Sequence, residues 1–188
     1  MSQLQSRKVV LALVLAGLNL AIGSMVAAFK APLYLDSLGI FLASSLLGFR
    51  YGALCAIATT IAGFVTINPY LPYYVLTSLG IAASVALLAE RGMFSTLTRS
   101  GISGLIIAVV AAALSAPVTV YLFGGVTLSG VDVFTSFLLA TGKTLLESVI
   151  LAGLSSEVID KVVVAVAAYF VLRGLPKRFS AYFGVRDT

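Results

Sequence analysis

Apolar residues fall along this chain in blocks of membrane length, separated by short polar or Gly/Pro breaks. Blocks long enough to cross a hydrocarbon layer cover 9–29, 34–49, 51–67, 73–89, 101–122 and 157–173. A span needs about 20 apolar residues, with ~17 as a lower limit. The second to fourth blocks, at 16 to 17 residues, are therefore short, tightly connected spans. The breaks carry turn chemistry. Gly48 to Gly52 separates the second and third blocks, Asn68-Pro69-Tyr70-Leu71-Pro72 the third and fourth, and Glu90-Arg91-Gly92 ends the fourth. Gly124-Gly125 and Ser129-Gly130 break the chain after the fifth.

Segment 132–153 fits this pattern least well. It is long enough to span, but a seventh crossing would put Arg173, Lys177 and Arg178 outside. With six spans and the N-terminus inside, nine of the twelve Lys and Arg residues (7, 8, 50, 91, 99, 173, 177, 178 and 186) are cytoplasmic. That is the distribution the positive-inside rule favours. The expected fold is therefore all-α: a six-transmembrane-helix bundle with an extra interfacial or re-entrant helix between the last two spans. Irregular backbone at membrane depth is tolerated where it lines a cavity. Residues 1–188 read as a single integral membrane domain in the cell membrane, with both termini cytoplasmic.

Composition agrees. The chain is 60% hydrophobic and 10% charged, against about 25% charged in soluble domains. The net charge of +5 follows from the inside bias and calls for no nucleic-acid partner. Anionic lipid headgroups of the bilayer are the partners it predicts. The first apolar block is too long for a cleavable signal peptide. No soluble domain is visible, so an ATPase would have to come from another chain. There is no His and no Trp, and the one Cys, Cys55, lies in an apolar run. These absences remove a His/Cys zinc site and any nucleophile–His arrangement. No Walker-type loop is present. No catalytic residue, metal or cofactor is expected.

Against this apolar background, ionisable groups stand out. Lys143 and Glu147 lie four residues apart in an otherwise apolar stretch. On a continuous helix that spacing puts both on one face, where they can pair. An ionisable residue inside a span is by default a functional-site hypothesis; the structural alternative is an ion pair that only packs helices. Asp36 interrupts the second block and wants a cationic partner, for which Lys143 and Lys30 are candidates. Polar and aromatic groups gather on the expected outer side: Tyr34, Asp36, Asn68, Tyr70, Tyr73, Tyr74, Thr77, Glu157, Asp160 and Lys161. Tyrosines that stack and hydrogen-bond suit a flat polar ring, although Tyr is also enriched in the interfacial belt. Asp160-Lys161 is equally readable as a surface pair at a helix end. The candidate substrate-binding set is Tyr34, Asp36, Asn68, Tyr70, Tyr74, Lys143, Glu147 and Lys161. In the first span, Ala12 and Ala16 form a small-residue pair of the kind that lets helices approach closely.

The basic N-terminus, six short spans, the Ala12/Ala16 pattern and the outer polar cup resemble the substrate-binding S components of energy-coupling factor (ECF) vitamin transporters. The stretch from Tyr34 through Asp36 to Gly39, then Leu47 to Ala53 and Asn68-Pro69-Tyr70, is similar to the subgroup that takes up thiamine precursors or vitamin B6-like rings. The resemblance implies high-affinity capture of a vitamin or precursor from outside, such as hydroxymethylpyrimidine, pyridoxine, pyridoxal or thiamine. It also implies transport by a separate membrane coupling subunit and two ATPase subunits, with Ala12 and Ala16 as the docking face. Two other functions fit the same pattern: the membrane sensor half of a signalling system, and a stand-alone small transporter. An inverted repeat would mark the last, and none is evident.

Overall fold

The computed structural model describes residues 3–176, 178, 182 and 183. Lys177 and Arg186, two of the residues expected on the cytoplasmic side, lie outside them. The described residues form seven α-helices and no strand: α1 (Gln3–Ala28), α2 (Leu38–Leu47), α3 (Phe49–Thr66), α4 (Val75–Glu90), α5 (Leu97–Pro117), α6 (Val131–Ala140) and α7 (Leu145–Gly174). A 3₁₀ turn, Leu71–Tyr74, leads into α4, and a π turn, Val118–Leu122, extends α5. Four helical stretches are long and apolar enough to cross a membrane: Gln3–Ala28, Phe49–Thr66, Leu71–Glu90 and Leu97–Leu122.

The structure departs from the expected spans in two places. The second block yields only a ten-residue helix, α2. At 1.5 Å per residue that is about 15 Å, half a hydrocarbon core. Residues 34–37 are not helical, because the loop turns through a left-handed Leu35 (φ 47°) before α2 begins. The second departure is segment 132–153, which is two pieces rather than one. α6 ends at a left-handed Gly142 (φ 88°), and residues 145–153 are already the start of a continuous 30-residue α7. Thr144 and Glu147 form a reciprocal capping box, each side chain bonding the other's backbone N–H, and so begin a new helix there.

The bundle packs through small residues. α2 is enclosed by α1, α3, α4 and α7. α1 turns Ala12, Leu15, Ala16, Asn19 and Gly23 inward and leaves Val10, Leu13, Val14 and Met25 exposed. Ala12 is 0% and Ala16 3% exposed. The Ala12/Ala16 face, expected as the docking face, is turned toward the neighbouring helices of the chain itself. Its small size lets α1 and α2 approach to backbone contact, since a Cβ on Gly39 would collide with the Leu15 carbonyl. Asn19 ties the contact together. Its Oδ1 accepts from the Gly39 N–H at 2.5 Å, and its Nδ2 donates to Thr59 Oγ1 at 3.1 Å. α5 and α7 likewise touch through backbone at Gly104, which lies against Lys161 and Val162.

Candidate functional site

The loops at one end of the bundle are tied to α7 and to one another. The link after α1 is pinned there by side chains: Ser156 Oγ donates to the Pro32 carbonyl at 2.7 Å. Asp160 Oδ1 accepts from the N–H groups of Tyr34 at 3.1 Å and Leu35 at 2.6 Å. Those two bonds hold Leu35 in a conformation that a branched residue rarely adopts. The α3–α4 loop is tied to the loop before α6 by Asn68, whose Nδ2 donates to the Thr127 carbonyl at 2.7 Å. Asn68 Oδ1 also accepts from the Tyr70 N–H at 2.8 Å. Asp132, in the first turn of α6, holds the same loop by accepting from the Thr127 N–H and hydroxyl. Pro117 cannot donate a backbone bond, and the helix beyond it widens into the π turn. Within that turn Thr119 Oγ1 meets the Tyr74 hydroxyl at 2.8 Å.

These elements enclose a cavity of about 420 Å³. Its walls include Tyr34, Asp36, Asn68, Tyr74, Glu157 and Lys161. Isolated drug-sized ligands occupy sites of about 300–1,000 Å³, so this one suits a single-ring molecule. At its base Lys161 Nζ pairs with Asp160 and, at 3.1 Å, with Glu157 Oε2. Asp160 is 0%, Lys161 2% and Glu157 5% exposed. The three lie near the middle of α7, not at a helix end, and are kept from solvent by the loops above. Asp36 reaches the same group because Gly23 on α1 has no side chain to obstruct it; its Cβ would stand 3.1 Å from that of Asp36. Asp36 thus lines the same cavity as Lys161 and lies within its field.

Of the expected set, Tyr34, Asp36, Asn68, Tyr74 and Lys161 are brought together in this cavity, and Tyr70, Lys143 and Glu147 are not. Tyr70 stacks on Phe123 at 4.4 Å, beside the cavity. Tyr73 and Tyr74 pack against the same ring, at 5.2 and 6.1 Å, so the tyrosines form one aromatic cluster, half-buried at Tyr70 and Tyr74 and exposed at Tyr73. Lys143 is exposed in the α6–α7 turn. Glu147 accepts from the N–H and hydroxyl of Thr144, at 3.0 and 2.8 Å, as part of the capping box. The expected Lys143–Glu147 pair fails because the two are not on one continuous helix. The signal was present in Thr144-Leu-Leu-Glu147, a Thr-x-x-Glu motif ahead of an apolar run. Wall residues missing from the expected set include Lys30, Thr77, Asp132 and, at the base, Glu157. The spacing of Glu157 to Lys161 is i, i+4, the same signal that was given to Lys143 and Glu147.

A substitution separates these two roles. Glu147→Ala is expected to weaken the start of α7 and lower the melting temperature, because the Thr144 N–H loses its acceptor. Thermal unfolding of the purified chain checks it. A change of binding behaviour at unaltered stability would return Glu147 to the site.

The chain matches no family model, no curated protein and no solved structure.

Proposed function

We propose that this chain is the substrate-capture subunit of an ECF-type importer, taking up a vitamin or precursor with a single polar ring. The observation that carries the reading is the cavity at one end of an apolar helical bundle, with buried ionisable groups at its base. Five residues expected from sequence to bind substrate line it. In this reading α1, α3, α4, α5 and α7 cross the membrane, and α2 with its preceding loop makes the sixth, incomplete crossing. α6 lies at the outer surface and closes the rim. Gly130 there packs against the Ala31 carbonyl with no room for a side chain.

Orientation follows from charge. Arg50 and Arg91 lie in the turns at the opposite end from the cavity, and Arg173 lies at the end of α7. The Arg7 guanidinium sits 4.1 Å from the Tyr182 ring, so the two terminal segments share that end. The positive-inside rule makes it cytoplasmic and the cavity external. Transport itself needs a coupling subunit and two ATPase subunits from other chains.

The test is titration calorimetry of the purified chain with hydroxymethylpyrimidine, pyridoxine and thiamine, repeated on Asn68→Ala and Tyr74→Phe. Asn68 organises the wall and Tyr74 presents its hydroxyl beside Thr119. Each variant is expected to stay folded and lose about tenfold in affinity for whichever compound binds, equivalent to ~1.4 kcal/mol. Unchanged affinity in both would remove this cavity as the capture site.

A further inference from the structure

The cavity carries more acidic than basic side chains. Asp36, Asp132 and Glu157 line it, and Asp160 lies buried directly behind. Only Lys30 and Lys161 oppose these four carboxylates. Lys30 is exposed at the rim, where water solvates it. Lys161 is already held by two carboxylates, Asp160 and Glu157, and Asp36 shares the same ammonium through its field. Asp132 and Asp160 are supported by backbone N–H groups. Asp36 has no such outside donor; its own backbone N–H and the shared ammonium are what it faces. A carboxyl in a low-dielectric cavity either holds its proton or is matched by a compensating charge, and a cationic ligand supplies the second.

A second feature points into the same space. The Thr77 side chain lines the cavity and is 6% exposed, yet its hydroxyl makes no hydrogen bond. Buried hydroxyls are rarely left unpaired. Here the missing partner belongs to whatever occupies the cavity. Thr77 lies one helical turn beyond Tyr74, on α4.

The geometry points to a positively charged ligand: a small ring bearing a protonated amine or a fixed cationic nitrogen, with a polar substituent directed at Thr77. The cation sits against Asp36 and completes the charge balance that Lys161 alone leaves short. This rests on the reading of the cavity as a capture site and adds the charge class of what is captured. It also disfavours carboxylate- and phosphate-bearing molecules, which would meet like charge on entry.

The full-length chain in nanodiscs is titrated with pyridoxamine, pyridoxine and 4-pyridoxate, which share a ring and differ at one position by an ammonium, a hydroxyl and a carboxylate. The ammonium compound is expected to bind at least about tenfold more tightly than the hydroxyl compound, with the carboxylate weakest. Asp36→Asn is expected to abolish that preference. Thr77→Val is expected to weaken binding without lowering the melting temperature, since the hydroxyl makes no bond in the free protein. Native mass spectrometry of the same preparation reads the charge class of any co-purified molecule, whatever its ring; a cation at neutral pH is expected. A neutral or anionic co-purified molecule overturns the charge inference and leaves capture standing. So does an equal or reversed order among the three probes, or binding that requires sodium and ignores probe charge. No co-purified molecule, together with no binding of any probe, defeats the capture reading itself.

Discussion

Replacing Lys161 by Met is expected to destabilise the bundle by about 3–5 kcal/mol, the usual loss when one member of a buried ion pair is removed. The reason is what it leaves behind. Asp160 and Glu157 would stay buried with no cation between them, and Asp36 would lose the field that offsets its own charge. Asp160 would keep its two backbone donors, so the damage should centre on Glu157 and spread to the loop carrying Tyr34 and Leu35. Adding Glu157→Gln to Lys161→Met removes a stranded charge and should restore part of the stability. That recovery distinguishes an electrostatic cost from a simple packing defect. Thermal melting of wild type, the single variant and the double variant provides the measurement. A double variant no more stable than Lys161→Met would rule out the electrostatic account.

Gly39→Ala is expected to be comparably damaging although it adds one methyl group. The new Cβ would be driven into the Leu15 carbonyl and the Asn19 side chain. Overpacking of this kind costs about 1–3 kcal/mol. Parting α1 from α2 also strands the buried Gly39 N–H now bonded to Asn19, a further ~1–3 kcal/mol. Gly153→Ala on α7 is the matched control. A Cβ there meets nothing within 4 Å, so the change should be neutral or stabilising by up to about 1 kcal/mol. Melting temperatures of the two variants should therefore move in opposite directions or by very different amounts. Equal shifts would mean that the α1–α2 backbone contact is not tight.

The contrast between Lys143/Glu147 and Glu157/Lys161 shows where sequence reasoning stopped. Both pairs have i, i+4 spacing in apolar surroundings. Spacing predicts a shared face only if the helix is continuous. Gly142 and the Thr144 capping box interrupt it for the first pair, while α7 runs unbroken through the second. The same limit applied to Ala12 and Ala16. A small-residue pair announces close approach, but does not say whether the approaching surface is in the same chain. Burial against α2 and α3 decided that it is internal.

What the sequence determined by itself was the class of element. Long apolar blocks broken by Gly, Pro and charge can satisfy their backbone in lipid only as helices, and the structure is all-helical among its described residues. Unusual polar residues such as Asp36, Asn68, Tyr74 and Lys161 were also legible, because an apolar background makes them conspicuous. Only the tertiary structure decided which of them meet. Asp36 and Lys161 are separated by most of the chain, and no local rule links them. They come together because α2 is short and enclosed, and because Gly23 lets the preceding loop lie close to α1. The Asp160 carboxylate then fastens that loop to the middle of α7. Long-range packing, not the order of residues along any one helix, builds the cavity.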